Sequence, residues 1–246
     1  MKIKVLFYKL WRTWLWVSVI LGLILFLPFS LILISSQKTY WLFHLFCKYW
    51  CRLVLIINGF WYVIHKEAKI LNNRSYIICP NHTSKFDIIL LFATFPNTFV
   101  FMGKKNVSNI KFFDWFYDKT MITFDRDNIS SSFKAYRKAD KILKDKISIV
   151  IFPEGRVPEE KIRLGKFKLG AFKLAISNKV PIIPVTFVDN KQKYPENDFR
   201  VELGIFRVFL HKPIAYENEF NNDAKILMDQ TFNIMSNTLR KYESKQ

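Results

Sequence analysis

The run from Thr13 to Gln37 carries no charged residue, and it constrains the fold more than any other feature of the sequence. As a helix, these 25 residues would be roughly 37 Å long, which exceeds the roughly 30 Å hydrocarbon core of a bilayer. Pro28 predicts a kink near the end of that helix. A secretory signal peptide is disfavoured because the run is too long and no small-residue cleavage site follows it. We therefore expect a membrane-associated helix.

A second apolar segment, Tyr40 to Phe60, differs from the first in its charges. It contains His44, Lys48 and Arg52 among many aromatic residues, a mixture that suits the membrane interface better than the bilayer centre. Basic residues flank the first segment on both sides, so their distribution does not orient it. A single span followed by an interfacial helix fits this pattern. A two-helix hairpin that dips into one leaflet also fits, and we favour it.

The composition suits a membrane surface. The 246 residues carry a formal net charge of +18, and half of them are hydrophobic. A soluble nucleic-acid-binding protein could have that charge but rarely that hydrophobic content, whereas a protein on an anionic membrane surface could have both. No known nucleic-acid-binding motif is present. We therefore expect an anionic membrane surface as a partner, and no nucleic acid.

The cysteines indicate a reducing compartment. Cys47, Cys51 and Cys79 are too few for a disulfide framework. Cys47 and Cys51 are one helical turn apart, but no carboxylate or second cysteine pair accompanies them, so a metal site there is disfavoured. We expect three buried thiols and no metal.

From Asn58 onward, short β-type runs alternate with amphipathic segments, the pattern of an α/β domain with a mainly parallel sheet flanked by helices. We therefore divide the chain into membrane-associated helices at 1–58 and an α/β domain at 59–246. The expected strands are 61–65, 76–79, 99–102, 121–124, 147–152 and 182–188. The expected helices are 86–95, an aromatic one around 112–116, 130–144, 170–177 and one capped by Asp223 that runs to Tyr242. The pattern at 201–210 favours a hairpin.

The stretch Cys79–Asp87 joins a strand to a helix and leaves His82 at the carboxyl end of the strand, where open α/β sheets place ligands. Histidine is the usual general base near neutrality, and a carboxylate on its other ring nitrogen would fix the tautomer. Asp87 is close enough along the chain to be that carboxylate. The alternative is that Ser84-x-x-Asp87 is a capping box and His82 an ordinary loop residue. No nucleophilic serine or cysteine motif is present, so the base would activate a substrate hydroxyl.

A second constellation follows the expected strand at 147–152. It contains Glu154, Gly155 and Arg156 in a tight turn, where glycine permits close approach of a ligand and arginine suits bidentate phosphate binding. Arg126 and the pair Lys104-Lys105 also follow strands. Each cation alone is usually a solvated surface charge, but three strand ends that deliver cations to one sheet edge favour an anion site.

These residues resemble the membrane-bound glycerolipid acyltransferases, specifically the 1-acyl-glycerol-3-phosphate (lysophosphatidic acid) acyltransferase type. The resemblance covers about residues 60–215, and four motifs in order carry it: Asn81-His82-x4-Asp87, Met121-Ile122-Thr123-Phe124-Asp125-Arg126, Phe152-Pro153-Glu154-Gly155-Arg156 and Val180-Pro181-Ile182-Ile183-Pro184-Val185. Each motif is weak alone, whereas four in order are specific. Phe167-Lys168-Leu169-Gly170-Ala171-Phe172 also looks like the family's linker.

The resemblance implies acyl transfer from acyl-CoA or acyl-ACP to the free hydroxyl of a lysophospholipid, without a metal, a cofactor or an acyl-enzyme. His82 would deprotonate the hydroxyl and Asp87 would orient His82. The residues that would bind substrate are Asn81, Lys104, Arg126, Glu154, Gly155 and Arg156. The N-terminal helices would hold the site at the leaflet, and the implied location is the cytoplasmic side of the inner (plasma) membrane.

The sequence departs from the family in two places. The third motif usually reads Glu-Gly-Thr-Arg, and the missing threonine displaces Arg156 by one residue, so Arg163 or Lys166 could substitute. The second motif usually opens with glycine, where this chain has Thr120. A different acceptor, such as a lyso-aminolipid, therefore stays open. From another class, a non-catalytic basic membrane-binding protein is the alternative, which the intact His82 and Asp87 disfavour.

Overall fold

The structure is a computed structural model that describes residues 2–36, 38–104, 118–125, 128–215 and 223–243. The helices are α1 (Lys2–Leu25), α2 (Leu27–Ser35), α3 (Tyr40–Ile57), α4 (Phe86–Thr94), α5 (Ile129–Lys144), α6 (Gly170–Ser177), α7 (Asn190–Lys193) and α8 (Ala224–Glu243). The strands are β1 (Phe60–Lys66), β2 (Ile77–Pro80), β3 (Phe99–Lys104), β4 (Met121–Phe124), β5 (Ser148–Val150), β6 (Ile182–Phe187) and β7 (Gly204–Leu210).

The N-terminal helices α1 and α3 form an antiparallel pair. Trp11 donates to the carbonyl of Asn58 (3.2 Å), and the rings of Phe26 and Phe46 lie 4.0 Å apart at the other end. Gly22 permits the close approach midway, since a Cβ there would lie 1.9 Å from the indole of Trp50. As Pro28 predicts, the first helix is broken, with a turn at Phe26 and α2 after it. Both α1, from Ile3, and α3 are long and apolar enough to cross a membrane.

The strands form one sheet in the order β1-β7-β6-β2-β5-β3-β4. From β6 to β4 all neighbours are parallel. β7 is antiparallel to β6 and parallel to β1, so β1 and β7, at one end of the sheet, run against the other five strands. The mainly parallel α/β fold that the sequence predicted is therefore confirmed.

Helices cover both faces of the sheet. α4 packs with Ile78 on one face, whereas α5 and α6 pack with Ile77 and Cys79 on the other. The chain leaves β2 towards α4 and leaves the neighbouring strand β5 towards α6, so the two connections diverge to opposite faces. Such a divergence opens a crevice beyond the carboxyl ends of the two strands. It places His82 and the turn after β5 side by side.

Some expected elements differ from those observed. The hairpin at 201–210 is wrong: the segment holds the single strand β7, because that strand pairs with β1 and β6 rather than with itself. The strand expected at 147–152 is shorter, at Ser148–Val150, and a turn follows at residues 153–154. The aromatic helix around 112–116 and Arg126 lie outside the described residues.

The N-terminal helices share the core of the α/β domain. Leu15 of α1 and Val54 and Leu55 of α3 are buried in the same hydrophobic cluster as Phe86 of α4. The division at residue 58 therefore marks a change of composition within one packed unit, and a separate role for residues 1–58 stays a prediction.

Candidate active site

The backbone after β2 places His82 at the crevice. Asn81 is fully buried, and its side chain both donates to the carbonyl of Phe187 (3.1 Å) and accepts from the N–H of that residue (2.7 Å). These two bonds tie the end of β2 to the end of β6. The Asn81 amide is occupied in this way, so its observed contacts position the backbone beside His82, while its expected contact with substrate stays a prediction.

His82 and Asp87 meet as the spacing predicted. The His82 Nδ1 lies 2.9 Å from Asp87 Oδ2, and the carboxylate is fully buried while the ring is 20% exposed. Asp87 accepts four further hydrogen bonds: from Thr83 N–H, Thr83 Oγ1, Ser84 N–H and Asn190 Nδ2. The bond to Ser84 N–H is the one a capping box would make. The Asp87 carboxylate therefore makes both contacts: it binds the Ser84 amide at the helix start and the ring of His82.

The surroundings of Asp87 determine the tautomer of His82. An ionised carboxylate can only accept hydrogen bonds, so the proton of the neutral imidazole lies on Nδ1 and Nε2 keeps its lone pair. The ring stacks on Phe152, with centroids 4.0 Å apart, and lines the cavity. In the described part of the chain no group binds Nε2. His82 is thus held from both sides and presents a free base.

Glu154 is a second buried carboxylate beside His82. Its Oε1 accepts from the His82 N–H and its Oε2 from the Gly165 N–H, each at 2.6 Å. Burial raises the pKa of Glu154, and the two amide bonds offset part of that effect. The side chain is only 4% exposed, so it fastens the loop 156–169 to the backbone of the histidine. The expected part of Glu154 in binding the acceptor stays a prediction.

Two glycines permit this arrangement. Gly155 has a φ of +71°, a left-handed conformation that β-carbon-bearing residues rarely adopt. A Cβ on Gly165 would lie 2.7 Å from Glu154 Oε2 and 3.3 Å from Pro158 Cβ. Substitution at Gly165 would therefore displace the carboxylate that holds the His82 backbone.

An open cavity of about 580 Å³ lies beside His82. Three cations line it: Lys104 at the end of β3, Arg156 in the turn after β5 and Lys168 before α6. Ser132 and Tyr136 of α5 form another part of the wall. The predicted meeting of cations at one sheet edge is present for Lys104 and Arg156, whereas Arg126 lies outside the described residues.

Sequence reasoning missed Asn190 and Lys168. Asn190 donates to Asp87 from 103 residues further along the chain (2.7 Å), and no local motif marks it. Lys168 lies in the stretch 167–172, which looks like the family's linker. That resemblance marks the segment but assigns the lysine no role.

Among the described residues that line the cavity there is no cysteine. Burial raises the pKa of the Cys79 thiol well above its ordinary value, which leaves it unreactive. Within the described ranges, no group of three or more His, Cys, Asp or Glu side chains could hold a metal ion.

Comparison with known proteins agrees with this geometry. The Acyltransferase family model matches residues 62–188. An uncharacterized acyltransferase of Schizosaccharomyces pombe is 29% identical over 80% of this chain and 71% of its own length. The 1-acyl-sn-glycerol-3-phosphate acyltransferases of Saccharomyces cerevisiae and Cocos nucifera are each 30% identical over 60% of this chain. This chain spans about half of their length, 50% and 48% respectively.

A solved structure shows the same fold. The crystal structure of the 1-acyl-sn-glycerophosphate (LPA) acyltransferase of Thermotoga maritima superposes with a TM-score of 0.77 at 18% identity, and the match covers 98% of this chain and 97% of that one. The fold agreement therefore extends over the N-terminal helices as well as the sheet. The family match over residues 62–188 shows that this chain belongs to the acyltransferase family.

Proposed function

We propose that the protein transfers a fatty acyl group from a thioester, acyl-CoA or acyl-ACP, to the free hydroxyl of 1-acyl-glycerol-3-phosphate, forming phosphatidate. The observation that carries the proposal is the His82–Asp87 pair at 2.9 Å beside a cavity lined by Lys104, Arg156 and Lys168. A base suits a hydroxyl nucleophile, and a cationic wall suits a phosphate. The named relatives support the same reaction.

In the proposed reaction His82 Nε2 takes the proton of the acceptor hydroxyl as its oxygen attacks the thioester carbonyl. Asp87 stabilises the imidazolium that forms and keeps it in place. Collapse of the tetrahedral intermediate breaks the carbon–sulfur bond, and the imidazolium returns its proton to the leaving thiolate. The products are the ester and the free thiol, and the enzyme is regenerated without a covalent intermediate.

The contacts support different roles for the remaining predicted site residues. Lys104 and Arg156 line the cavity and would bind the acceptor phosphate, with Lys168 added to them. Arg126 remains a predicted phosphate ligand. Gly155 allows the turn that carries Arg156, and Asn81 and Glu154 position His82.

The packing of the N-terminal helices supports a hairpin in one leaflet. The cations of α3 face the protein: Arg52 donates to the Ala93 carbonyl (2.9 Å) and Lys48 to the Pro96 carbonyl (3.4 Å), at the end of α4. Arg12 of α1 lies 4.1 Å above the ring of Tyr194. If α1 spanned the bilayer, Arg12 would lose its contact with Tyr194. The outward faces expose large apolar side chains instead: Leu21, Ile24, Phe29, Trp41 and Tyr49.

We place the protein on the cytoplasmic side of the inner membrane, where soluble acyl thioesters are available. The hairpin would sit in the anionic leaflet and the cavity would open towards its surface. The basic composition, with a net charge of +18, supports an anionic leaflet as the partner.

A direct assay tests the reaction. Purified protein in detergent is given 1-acyl-glycerol-3-phosphate with either acyl-CoA or acyl-ACP, and phosphatidate is measured by mass spectrometry against a His82→Ala control. We expect product with at least one donor from the wild type only. Transfer to a lyso-aminolipid alone would replace the acceptor, and no transfer to any lysolipid with either thioester would overturn the proposal.

The acceptor phosphate is tested separately. Arg126→Ala should raise the acceptor KM and lower kcat/KM by about one to two decades, because a charge-assisted contact is lost. Arg126→Lys should not restore it fully, since an ammonium lacks the bidentate fork. Arg156→Ala should have a smaller effect because of the missing threonine. A monoacylglycerol acceptor, which has no phosphate, is the control, and an unchanged phosphate preference in Arg126→Ala would refute this assignment.

A further inference from the structure

A second cavity, of about 590 Å³, lies at the other end of α5 from the active site. Val100 at the start of β3 lines it, whereas Lys104 at the end of the same strand lines the catalytic cavity. On α5, Tyr136 faces the catalytic cavity and Lys141 the second one. The two cavities are therefore separate, at opposite ends of the strands.

The second cavity is basic. Lys119, Lys138 and Lys141 line it, and Asp118 is the single acidic residue among the lining groups. Lys138 donates to the carbonyls of Asp118 and Met121 (2.9 Å for the latter) and lies 3.3 Å from Asp118 Oδ1, so its ammonium holds the turn before β4. In the part of the chain that the structure describes, neither Lys119 nor Lys141 has such a partner. Two exposed ammonium groups are therefore available to an anion.

Three of the backbone carbonyls at this end of α5 are already paired. The carbonyls of Lys141, Ile142 and Leu143 accept from the N–H groups of Asp145, Ile147 and Lys146. Tyr40 donates its hydroxyl to the Phe99 carbonyl (3.3 Å). Ser36, by contrast, only accepts, from the Lys38 N–H (3.3 Å), so its hydroxyl proton is free to donate.

The cavity also adjoins helix α2 of the apolar N-terminal region. Ile34 and Ser35, at the end of α2, form its rim, and Ile142 and Ile147 belong to its apolar part. One and two turns before that rim, Ile32 and Phe29 of α2 are 69% and 64% exposed. A basic cavity next to exposed apolar side chains matches an amphiphile that carries one anionic group.

We propose that this second cavity binds the headgroup of an anionic phospholipid of the surrounding leaflet, with its phosphate at Lys119 and Lys141 and its chains along Phe29 and Ile32. The proposal rests on the membrane association described above and not on the acyl-transfer chemistry. The lipid would dock the ends of α2 and α5 on the same leaflet, and so fix the tilt of the domain.

Vesicle binding with matched charge variants tests the proposal. The full-length protein is mixed with phosphatidylcholine vesicles with or without phosphatidylglycerol, and the bound fraction is measured by flotation at fixed ionic strength. The test variant is Lys119→Gln with Lys141→Gln. The control is Lys173→Gln with Lys225→Gln, which removes two exposed lysines from α6 and α8 that do not line the second cavity.

We expect the test variant to lose about ten-fold or more of its affinity for the phosphatidylglycerol vesicles, since each cation near an anionic surface contributes appreciably. The control should lose less than about three-fold. Lys119→Arg with Lys141→Arg should keep wild-type binding, which separates a lost charge from a misfolded chain. Equal losses in test and control variants would show diffuse attraction to the basic surface and would overturn the site.

Two further measurements distinguish the ligand and the function. Glycerol 3-phosphate is titrated into the protein in detergent by calorimetry, and saturable binding that the test variant loses would mean a soluble phosphate ligand and would overturn the lipid assignment. Turnover of a short-chain lysophosphatidate in neutral micelles should be unchanged in the test variant. If turnover fell as much as vesicle binding, the cavity would belong to the catalytic machinery instead.

Discussion

Two histidine–carboxylate pairs in this protein share one geometry and differ in what is buried. His82 Nδ1 lies 2.9 Å from Asp87, and His211 Nδ1 lies 2.8 Å from Glu67. In the first pair the carboxylate is fully buried and the ring is 20% exposed. In the second the ring is 1% exposed and the carboxylate 49%.

The second ring nitrogen, Nε2, distinguishes the two pairs. Nε2 of His211 lies 2.9 Å from Oγ1 of the fully buried Thr186, so both nitrogens of that ring are occupied within the protein. His82 has its second nitrogen at the cavity. A short histidine–carboxylate distance therefore does not by itself identify a catalytic base. What identifies it is a free nitrogen at an accessible surface, with the carboxylate held by other donors.

The largest expected difference is between the variants that remove the His82 ring and the His211 ring. His82→Ala should lower turnover by roughly 10²–10⁴ or more, with little change in Tm because the ring is partly exposed. His211→Ala should leave the turnover of folded protein nearly intact and lower the unfolding free energy by about 2–4 kcal/mol, since it creates a buried cavity and leaves Thr186 unpaired. Steady-state kinetics and thermal unfolding measure both. A His82→Ala enzyme with wild-type turnover would contradict the base assignment.

Replacing the carboxylates sharpens the contrast. Asp87→Asn should lower turnover by roughly 10²–10⁴, because an amide can no longer orient the Nδ1–H tautomer. It should also cost about 1–3 kcal/mol of stability, since the amide NH₂ must face one of the donors that Asp87 now accepts. Glu67→Gln should change stability by less than about 1 kcal/mol because that side chain is half exposed. If Asp87→Asn lost stability but kept full turnover, Asp87 would be an ordinary helix cap.

The smallest expected effect concerns pH. Burial lowers the pKa of His211 below its ordinary value of 6.5, although Glu67 opposes this. The unfolded chain therefore takes up a proton at a higher pH than the folded one, so stability is present above about 6.5 and is lost as pH falls through and below it. This residue alone changes the unfolding free energy by at most about 1.4 kcal/mol per pH unit.

Denaturant unfolding from pH 7.5 to 5 measures this slope in wild type and in His211→Gln. We expect the variant to be less stable at neutral pH and to lose less on acidification. Identical slopes in the two proteins would show that His211 is not protonated differently on folding.

The sequence was sufficient for the strand-to-helix junction and for the dyad, since both depend on neighbours within a few residues. Cys79–Asp87 contains the strand end, the helix start and both partners, and a five-residue separation leaves little freedom. The same holds for the break at Pro28, which follows from the missing N–H of proline. Local chemistry also predicts the cap at Asp223, which accepts from the N–H of Lys225 (2.7 Å).

Tertiary structure decided the rest, because the groups concerned meet across long stretches of chain. No local pattern reveals that the Asn81 side chain hydrogen-bonds the backbone of Phe187, or that Glu154 accepts from both His82 and Gly165. The segment 201–210 has the alternation of a hairpin, but its partners are β1 and β6, and only the assembled sheet selects them. The sequence thus determined the chemistry of the site, while the pairing of β2 beside β5 brought Glu154 to His82 and so fixed the loop behind the histidine.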